Sequence, residues 1–282
     1  MSALEKESLG AGAVAIIGGG NIGLALAKGL VDSGVYLPGQ ITITRRNVQL
    51  LQHMVEKGFR IQTDNHDAVK RAKTIVIAVL PQQLANVLHE IRSDLVPKKH
   101  TLISLVTGVS INEIVKHLGV EVPVVRAMPN TAIAVRQSMT CLSSKQGAGE
   151  ALEIAKTLFD AVGKTLVISE EHMIPATALC ACGIAFFLRS IRAASQGGIE
   201  IGFHPDEALL MASQTAKGAA SLLLSGESHP ESEIDKVTTP RGCTIAGLNQ
   251  MEHEGFSSAM IKGITTSAEK AARLYVGTDN SV

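Results

Sequence analysis

From Ala13 the chain alternates short apolar runs with segments of helical period. The run AVAII at 13–17 enters Gly18, Gly20 and Gly23 with no polar loop between, and an apolar periodic stretch follows at 24–30. That order is strand, tight turn, helix. Ser33 and Gly34 stop this helix, Pro38 and Gly39 turn the chain, and QITIT at 40–44 reads as a β-branched second strand. The pattern then predicts a helix over 47–57, a strand at 59–62, a helix over 64–71, a strand at 74–79 and a helix opening at Pro81. A strand at 101–105, a helix at 111–117 and a strand at 122–126 come next. A polar, small-residue loop at 143–149 leads into a helix at 150–162 and a strand at 165–168. Runs such as TIVIAVL at 74–80 suit strands covered on both faces by helices. The alternation predicts right-handed crossovers and an α/β fold whose N-terminal part is a Rossmann-type doubly wound sheet.

From 172 to 275 helical period takes over. Ile184, Phe187, Leu188 and Ile191 recur at i, i+3, i+4, i+7 on one helix face. Pro205, Asp206 and Glu207 favour the N-terminus of the next helix. The chain is therefore divided into a flexible lead-in at 1–12, a dinucleotide-binding domain at 13–169 and an all-α C-terminal domain at 170–282, with the boundary near Ser169.

Each glycine of the first turn has its own task in a dinucleotide site. Gly18 permits the sharp turn, Gly20 lets backbone approach a pyrophosphate, and Gly23 lets helix pack on strand. The phosphates then meet the unpaired N–H groups and positive end of the helix. The end of the second strand selects the cofactor. It carries Arg45 and Arg46 and no acid, and forked guanidinium donors suit a 2′-phosphate, so NADPH is expected over NADH, with NADH as the alternative. Ligands in such sheets sit beyond the carboxyl ends of the strands, here 18–23, 45–46, 78–81, 106–108 and 127–130. A second informative stretch, 237–248 (VTTPRGCTIAGL), is rich in hydroxyls and free N–H groups with little apolar bulk. It reads either as a nest for an anion such as a carboxylate or as a plain connection between helices.

Composition narrows the partners. With 282 residues, 45% hydrophobic and 18% charged, the chain has ample apolar surface for two domains. No Trp and 3% aromatics argue against stacking platforms for nucleic acid, and a net charge of zero implies no polyanion partner. The longest apolar runs are far shorter than a membrane span, so no membrane association is expected. Cys141, Cys180, Cys182 and Cys243 show neither metal-ligand nor disulfide spacing, which points to a reducing cytoplasm and no metal. The nine histidines form no ligand motif. Cys180 and Cys182 are expected as buried helix-start thiols, Cys243 lacks a neighbouring base, and Arg126 reads as a structural partner at a strand end.

These residues resemble pyrroline-5-carboxylate reductase over essentially the whole of 13–274. The most specific part is 237–248 followed by Met251 and Glu252, and further matches are the 18–23 turn with Asn21, Ala78 and Val79 with Pro81 and Gln82, VRAMPNT at 125–131, Gln214 with Thr215, and GAA at 218–220. The resemblance implies reduction of the cyclic imine L-1-pyrroline-5-carboxylate to L-proline with NAD(P)H, the last step of proline biosynthesis. It places the dinucleotide on Gly18, Gly20, Asn21, Ile22, Arg45, Arg46, Asn65, Ala78, Leu80, Pro81, Val106, Thr107 and Gly108. It places the substrate carboxylate on the bend carrying Thr239, Gly242, Cys243 and Thr244, with the Thr244 hydroxyl facing the ring nitrogen as the catalytic group. It also implies a homodimer through C-terminal helices, often built into a decamer. The chain departs from the family pattern at Leu80, where the family has Lys, at 180–185 (CACGIA for Ser-Gly-Ser-Gly-Pro-Ala), at Arg241 in place of Gly, and at 136–138. Two rivals remain: a related reductase of another small imine or hydroxy acid, and a non-catalytic NADPH-binding regulator. No Lys lies over 173–189, where a hydroxy-acid dehydrogenase of this architecture would want one, and the intact Thr238, Thr239 and Thr244 argue against lost chemistry.

Overall fold

The computed structural model describes residues 12–226 and 228–276, with the side chains of 274–276 excepted. All but the last residue of the expected lead-in at 1–12 lies outside the described residues. Contacts divide the described residues into two compact units: those up to Ala181 together with 268–276, and Cys182–Ser267. The division falls twelve residues after the expected boundary at Ser169 (181 − 169), at the end of an irregular helical passage.

The first unit is built on an eight-stranded sheet among the described residues. In chain order its strands are β1 (Val14–Ile17), β2 (Ile41–Thr44), β3 (Arg60–Gln62), β4 (Thr74–Ile77), β5 (Thr101–Ser104), β6 (Val124–Met128), β7 (Ser138–Ser144) and β8 (Gly163–Val167). Their spatial order is β3-β2-β1-β4-β5-β6-β7-β8. The first six run parallel, β7 is antiparallel to β6, and β8 is parallel to β7. The reversal at β7 corrects the expected loop at 143–149, because Ser143 and Ser144 belong to this strand.

Two hydrophobic layers cover the parallel part, and the strand period of two sorts residues between them. Val14 and Ile16 pack with Leu26, Leu30, Ile43 and Phe159 on one face. Ala15 and Ile17 pack with Ile75, Ile77, Leu84 and Leu88 on the other. The helices that supply these partners are α1 (Asn21–Asp32), α2 (Gln52–Val55), α3 (Asn65–Arg71), α4 (Pro81–Ile91), α5 (Ile111–Leu118) and α6 (Gly149–Asp160). The expected helix over 47–57 is a short 3₁₀ turn, Val48–Leu51, followed by the single turn of α2.

Arg126, near the end of β6, is only 3% exposed and its Nη1 donates to Glu170 Oε1 at 3.1 Å. The same carboxylate oxygen accepts from the Ile111 N–H at 2.6 Å, at the start of α5. Glu170→Ala removes an acceptor from both donors and is expected to lower stability by about 2–3 kcal/mol, since hydrogen bonds to charged groups are worth roughly 1.5–3 kcal/mol. Urea denaturation checks this, and an unchanged midpoint would mean the pair is ornamental.

The chain then forms α7 (Met173–Ala176), a π-helical run Thr177–Cys182, α8 (Gly183–Glu200), α9 (Pro205–Ser225), α10 (Pro230–Val237), α11 (Cys243–His253) and α12 (Phe256–Val276). Concatenated, the helical stretch Glu170–Glu200 is long and apolar enough to cross a membrane by length and composition. That corrects the expectation that no segment reaches this length: helical continuity joins apolar runs that are short when read singly.

The second unit, taken by itself, buries little. Among its described residues only Gly183, Ser195 and Ala208 are buried. Phe187, Leu188, Ile201, Leu210, Leu224 and Ile261 are all exposed. Among the described residues no large apolar side chain is enclosed within it, so they form no core of their own.

Candidate active site

Beyond the carboxyl ends of β1, β2 and β4 lies a cavity of about 800 Å³, at the large end of small-molecule sites, which span roughly 300–1,000 Å³. It opens where the sheet order reverses between β1 and β4, the place where doubly wound sheets bind ligands. Its floor is the glycine turn. Gly18 has φ +116°, and the N–H groups of Gly18 and Gly19 donate to the Thr44 carbonyl at 3.2 and 2.8 Å, which fastens the turn to β2. Gly20 is the N-cap of α1 and offers no side-chain cap. The first N–H groups of that helix are thus left for a ligand.

The glycines separate by what a side chain would meet. A Cβ on Gly18 would stand 2.3 Å from the Ala78 carbonyl oxygen, and one on Gly23 would stand 2.2 Å from the Gly18 carbonyl oxygen. A Cβ on Gly20 would meet nothing within 4 Å. Packing accounts for the first two, whereas Gly20 faces open space, which suits a backbone kept clear for a pyrophosphate.

Arg45 Nη1 donates to the Gly19 carbonyl at 2.8 Å, which lays its guanidinium along the turn. Arg46 lines the cavity and is exposed. Asn65 opens α3, and its Nδ2 donates to Glu90 Oε2 at 3.0 Å across the cavity wall. Asn21, Ile22, Ala78 and Leu80 also line it. Leu80 is the N-cap of α4 and 65% exposed, a bare apolar side chain at the mouth.

Other expected cofactor residues stand apart from that lining. Pro81 occupies the first turn of α4. Leu105 lines the cavity, while Val106, Thr107 and Gly108 are not part of its wall. The sequence reading missed Gln83, Asn86, Val87 and Glu90, one face of α4 turned to the cavity. Their spacing of i, i+3, i+4 and i+7 from Gln83 was the available signal.

The expected substrate bend lies in the second unit. Thr238 closes α10, its hydroxyl donating to the Ile234 carbonyl at 2.8 Å. Arg241 takes a left-handed φ of +61°, and the Gly242 N–H donates to the Thr239 carbonyl at 2.9 Å. A Cβ on Gly242 would fall 2.5 Å from Thr239 Oγ1 and 3.0 Å from the Thr239 carbonyl oxygen, so a side chain there would push the Thr239 hydroxyl aside. Gly242 is the N-cap of α11 and brings no side-chain cap. Thr239, Gly242, Cys243 and Thr244 therefore form one bend whose following N–H groups are open, with Cys243 exposed and Thr244 half-buried.

Comparison with known proteins reads these features as a family. Residues 170–274 match the family described as pyrroline-5-carboxylate reductase dimerisation, and residues 13–108 match that described as NADP oxidoreductase coenzyme F420-dependent. Pyrroline-5-carboxylate reductase 1 of Dictyostelium discoideum is 55% identical over 274 residues, covering 93% of this chain, which spans only 50% of that relative's length. Pyrroline-5-carboxylate reductase 2 of the same organism is 50% identical over 276 residues, with 92% of each chain covered. The chain belongs to the pyrroline-5-carboxylate reductase family. A pyrroline-5-carboxylate reductase structure from Coxiella burnetii superposes with a TM-score of 0.85 at 29% identity, covering 93% of this chain and 98% of that one. Pyrroline-5-carboxylate reductases are NAD(P)H-dependent oxidoreductases that reduce a C=N bond in the last step of proline biosynthesis. The matched dimerisation region supports self-association of this family member.

Proposed function

We propose that this chain reduces L-1-pyrroline-5-carboxylate to L-proline, with NADPH held on the glycine turn of the first unit and the substrate carboxylate held on the 239–244 bend of the second. The observation that carries this reading is that the glycine turn and the 239–244 bend each end on a glycine N-cap, Gly20 and Gly242, which brings no side chain to the helix N-terminus behind it. The reaction has two anions to place, a pyrophosphate and a carboxylate, and an open helix N-terminus suits each. The residues present fit the dinucleotide: a clear approach at Gly20, a cavity of sufficient size and two arginines at the end of β2.

When bound, NADPH supplies the hydride from its nicotinamide ring. The protein's part is to hold and to polarise. An imine accepts hydride readily once its nitrogen is protonated or receives a hydrogen bond, and the Thr244 hydroxyl supplies that donor in this reading. Orientation of the reactants accounts for much of the rate. The same reading includes a cytoplasmic homodimer through the C-terminal helices, assembled into a decamer, with no membrane partner. The family match over 170–274 supports the self-association in this reading, and four free thiols suit a reducing compartment.

The test is NADPH oxidation by the full chain with pyrroline-5-carboxylate, set beside the six-membered imine and a panel of hydroxy acids. Turnover on the five-membered imine is expected. Turnover on the six-membered imine alone, or tight NADPH binding with turnover on nothing, overturns the proposal. For cofactor choice, replacing both Arg45 and Arg46 by Ala is expected to cut the NADPH over NADH ratio of kcat/KM by roughly 10- to 100-fold. One charge-assisted hydrogen bond is worth roughly 1.5–3 kcal/mol, and 1.4 kcal/mol is tenfold. An unchanged ratio would assign the 2′-phosphate elsewhere.

A further inference from the structure

Away from the cofactor cavity a small apolar cluster joins Met128, Cys141, Met173 and Ala176, with Cys180 packed on it. Cys141 is buried on β7, and Cys180 is half-buried in the π-helical run Thr177–Cys182. Their Sγ atoms are 4.0 Å apart, and both are free thiols. Cys180 and Cys182 are both half-buried, which corrects the expectation of buried helix-start thiols, and the neighbour of Cys180 is Cys141, on a strand that the sequence hid. The pair is held from both sides. Asn130 Nδ2 donates to the Cys180 carbonyl at 3.2 Å, and the Asn130 N–H donates to Ser138 Oγ at 3.1 Å on the same strand as Cys141.

We propose that Cys141 and Cys180 are an oxidation site, joined into a disulfide by a hydroperoxide and separated again by a dithiol. Neither the cofactor site nor the substrate bend uses these residues, and position 180 is one where the resemblance places serine.

The geometry asks for little motion. A disulfide bond is about 2.05 Å long, so the sulfurs, 4.0 Å apart, must approach by about 2 Å. The hydrogen bond from Cys141 lowers Cys180 to about 7 against the opposing effect of burial, while that same bond and burial raise Cys141. Cys180 is thus the sulfur held toward its thiolate and the less buried of the two, which makes it the attacking sulfur. It attacks one peroxide oxygen, the O–O bond breaks, and the leaving alkoxide or hydroxide takes a proton from water. The Cys180 sulfenic acid that results is attacked by Cys141 sulfur, which gives up its proton as the S–O bond breaks and water departs. The two sulfurs lose two electrons in total and the peroxide gains them. The product staples β7 to the helical passage that leads out of the first unit.

The experiment treats the purified full chain with hydrogen peroxide, unfolds it in guanidinium with iodoacetamide to block the remaining thiols and maps the peptides by mass spectrometry, beside Cys180→Ser. Two of the four thiols are expected to disappear, in a single linked pair of the peptides carrying 141 and 180, and to return with dithiothreitol. Cys180→Ser, which carries the side chain the family pattern places there, is expected to keep Cys141 alkylatable under the same dose. The proposal is overturned if Cys243 oxidises while Cys141 and Cys180 both remain alkylatable, if either is linked instead to Cys182 or Cys243, or if Cys180 stops at a sulfenic or sulfinic acid with Cys141 free.

Discussion

Thr244→Ala lowers turnover by about 10²- to 10³-fold and leaves NADPH affinity as it was. The magnitude is that of deleting one preorganised hydrogen-bond donor to developing or transferred charge. Thr244 is the second residue of α11, whose N-cap is Gly242, so the substitution removes no cap from the helix. Alanine is also the better helix former, and the half-buried position leaves no large cavity. Stability should therefore hold while rate falls, which separates a chemical role from a structural one. Thr244→Ser keeps the hydroxyl and should recover most of the loss. Stopped-flow turnover with pyrroline-5-carboxylate, read beside an NADPH titration, makes the measurement. Turnover within threefold or so of the parent would take Thr244 out of the mechanism.

The glycine turn gives the second large effect, and it splits by position. Gly18→Ala puts a methyl 2.3 Å from the Ala78 carbonyl oxygen at φ +116°, and Gly23→Ala puts one 2.2 Å from the Gly18 carbonyl oxygen. Both obstacles are backbone at the end of a buried strand and cannot swing aside. Overpacking and backbone strain each cost roughly 1–3 kcal/mol, so each variant should lose about 2–4 kcal/mol or fail to accumulate. Gly20→Ala meets nothing within 4 Å and should denature within about 0.5 kcal/mol of the parent. Its methyl instead occupies the pyrophosphate's approach, so NADPH should bind about tenfold or more weakly. Urea midpoints and cofactor titrations of the three variants are the check. Equal destabilisation by all three would show that the turn is shaped by packing alone.

The parallel strands were legible because burial on both faces writes them as unbroken apolar runs: β4 reads TIVI and all four of its residues are buried. β7 escaped notice for the opposite reason. It reads SMTCLSS, and its buried hydroxyls imitate the composition of a loop. They are tolerated inside because they satisfy one another: Ser138 Oγ and Thr140 Oγ1 lie 3.2 Å apart, and Ser138 Oγ accepts the Asn130 N–H. Everything that depends on β7 was hidden with it, the Cys141 to Cys180 approach included. Glu170 was invisible for a different reason, since its partner Arg126 is 44 residues away and a single long-range pair leaves no periodic trace. The glycine turn and the 239–244 bend were legible because each is local: a few consecutive residues whose backbone alone dictates what they are.

The coreless second unit makes abundance part of this protein's thermodynamics. In the proposed homodimer, helices that carry exposed Leu210, Leu224 and Ile261 gain apolar burial from association, so mass action enters the folding equilibrium. The melting temperature should climb as the sample is concentrated. In a cell that makes few copies, scarcity itself would act as a denaturant, leaving newly made chains unpaired and open to proteolysis.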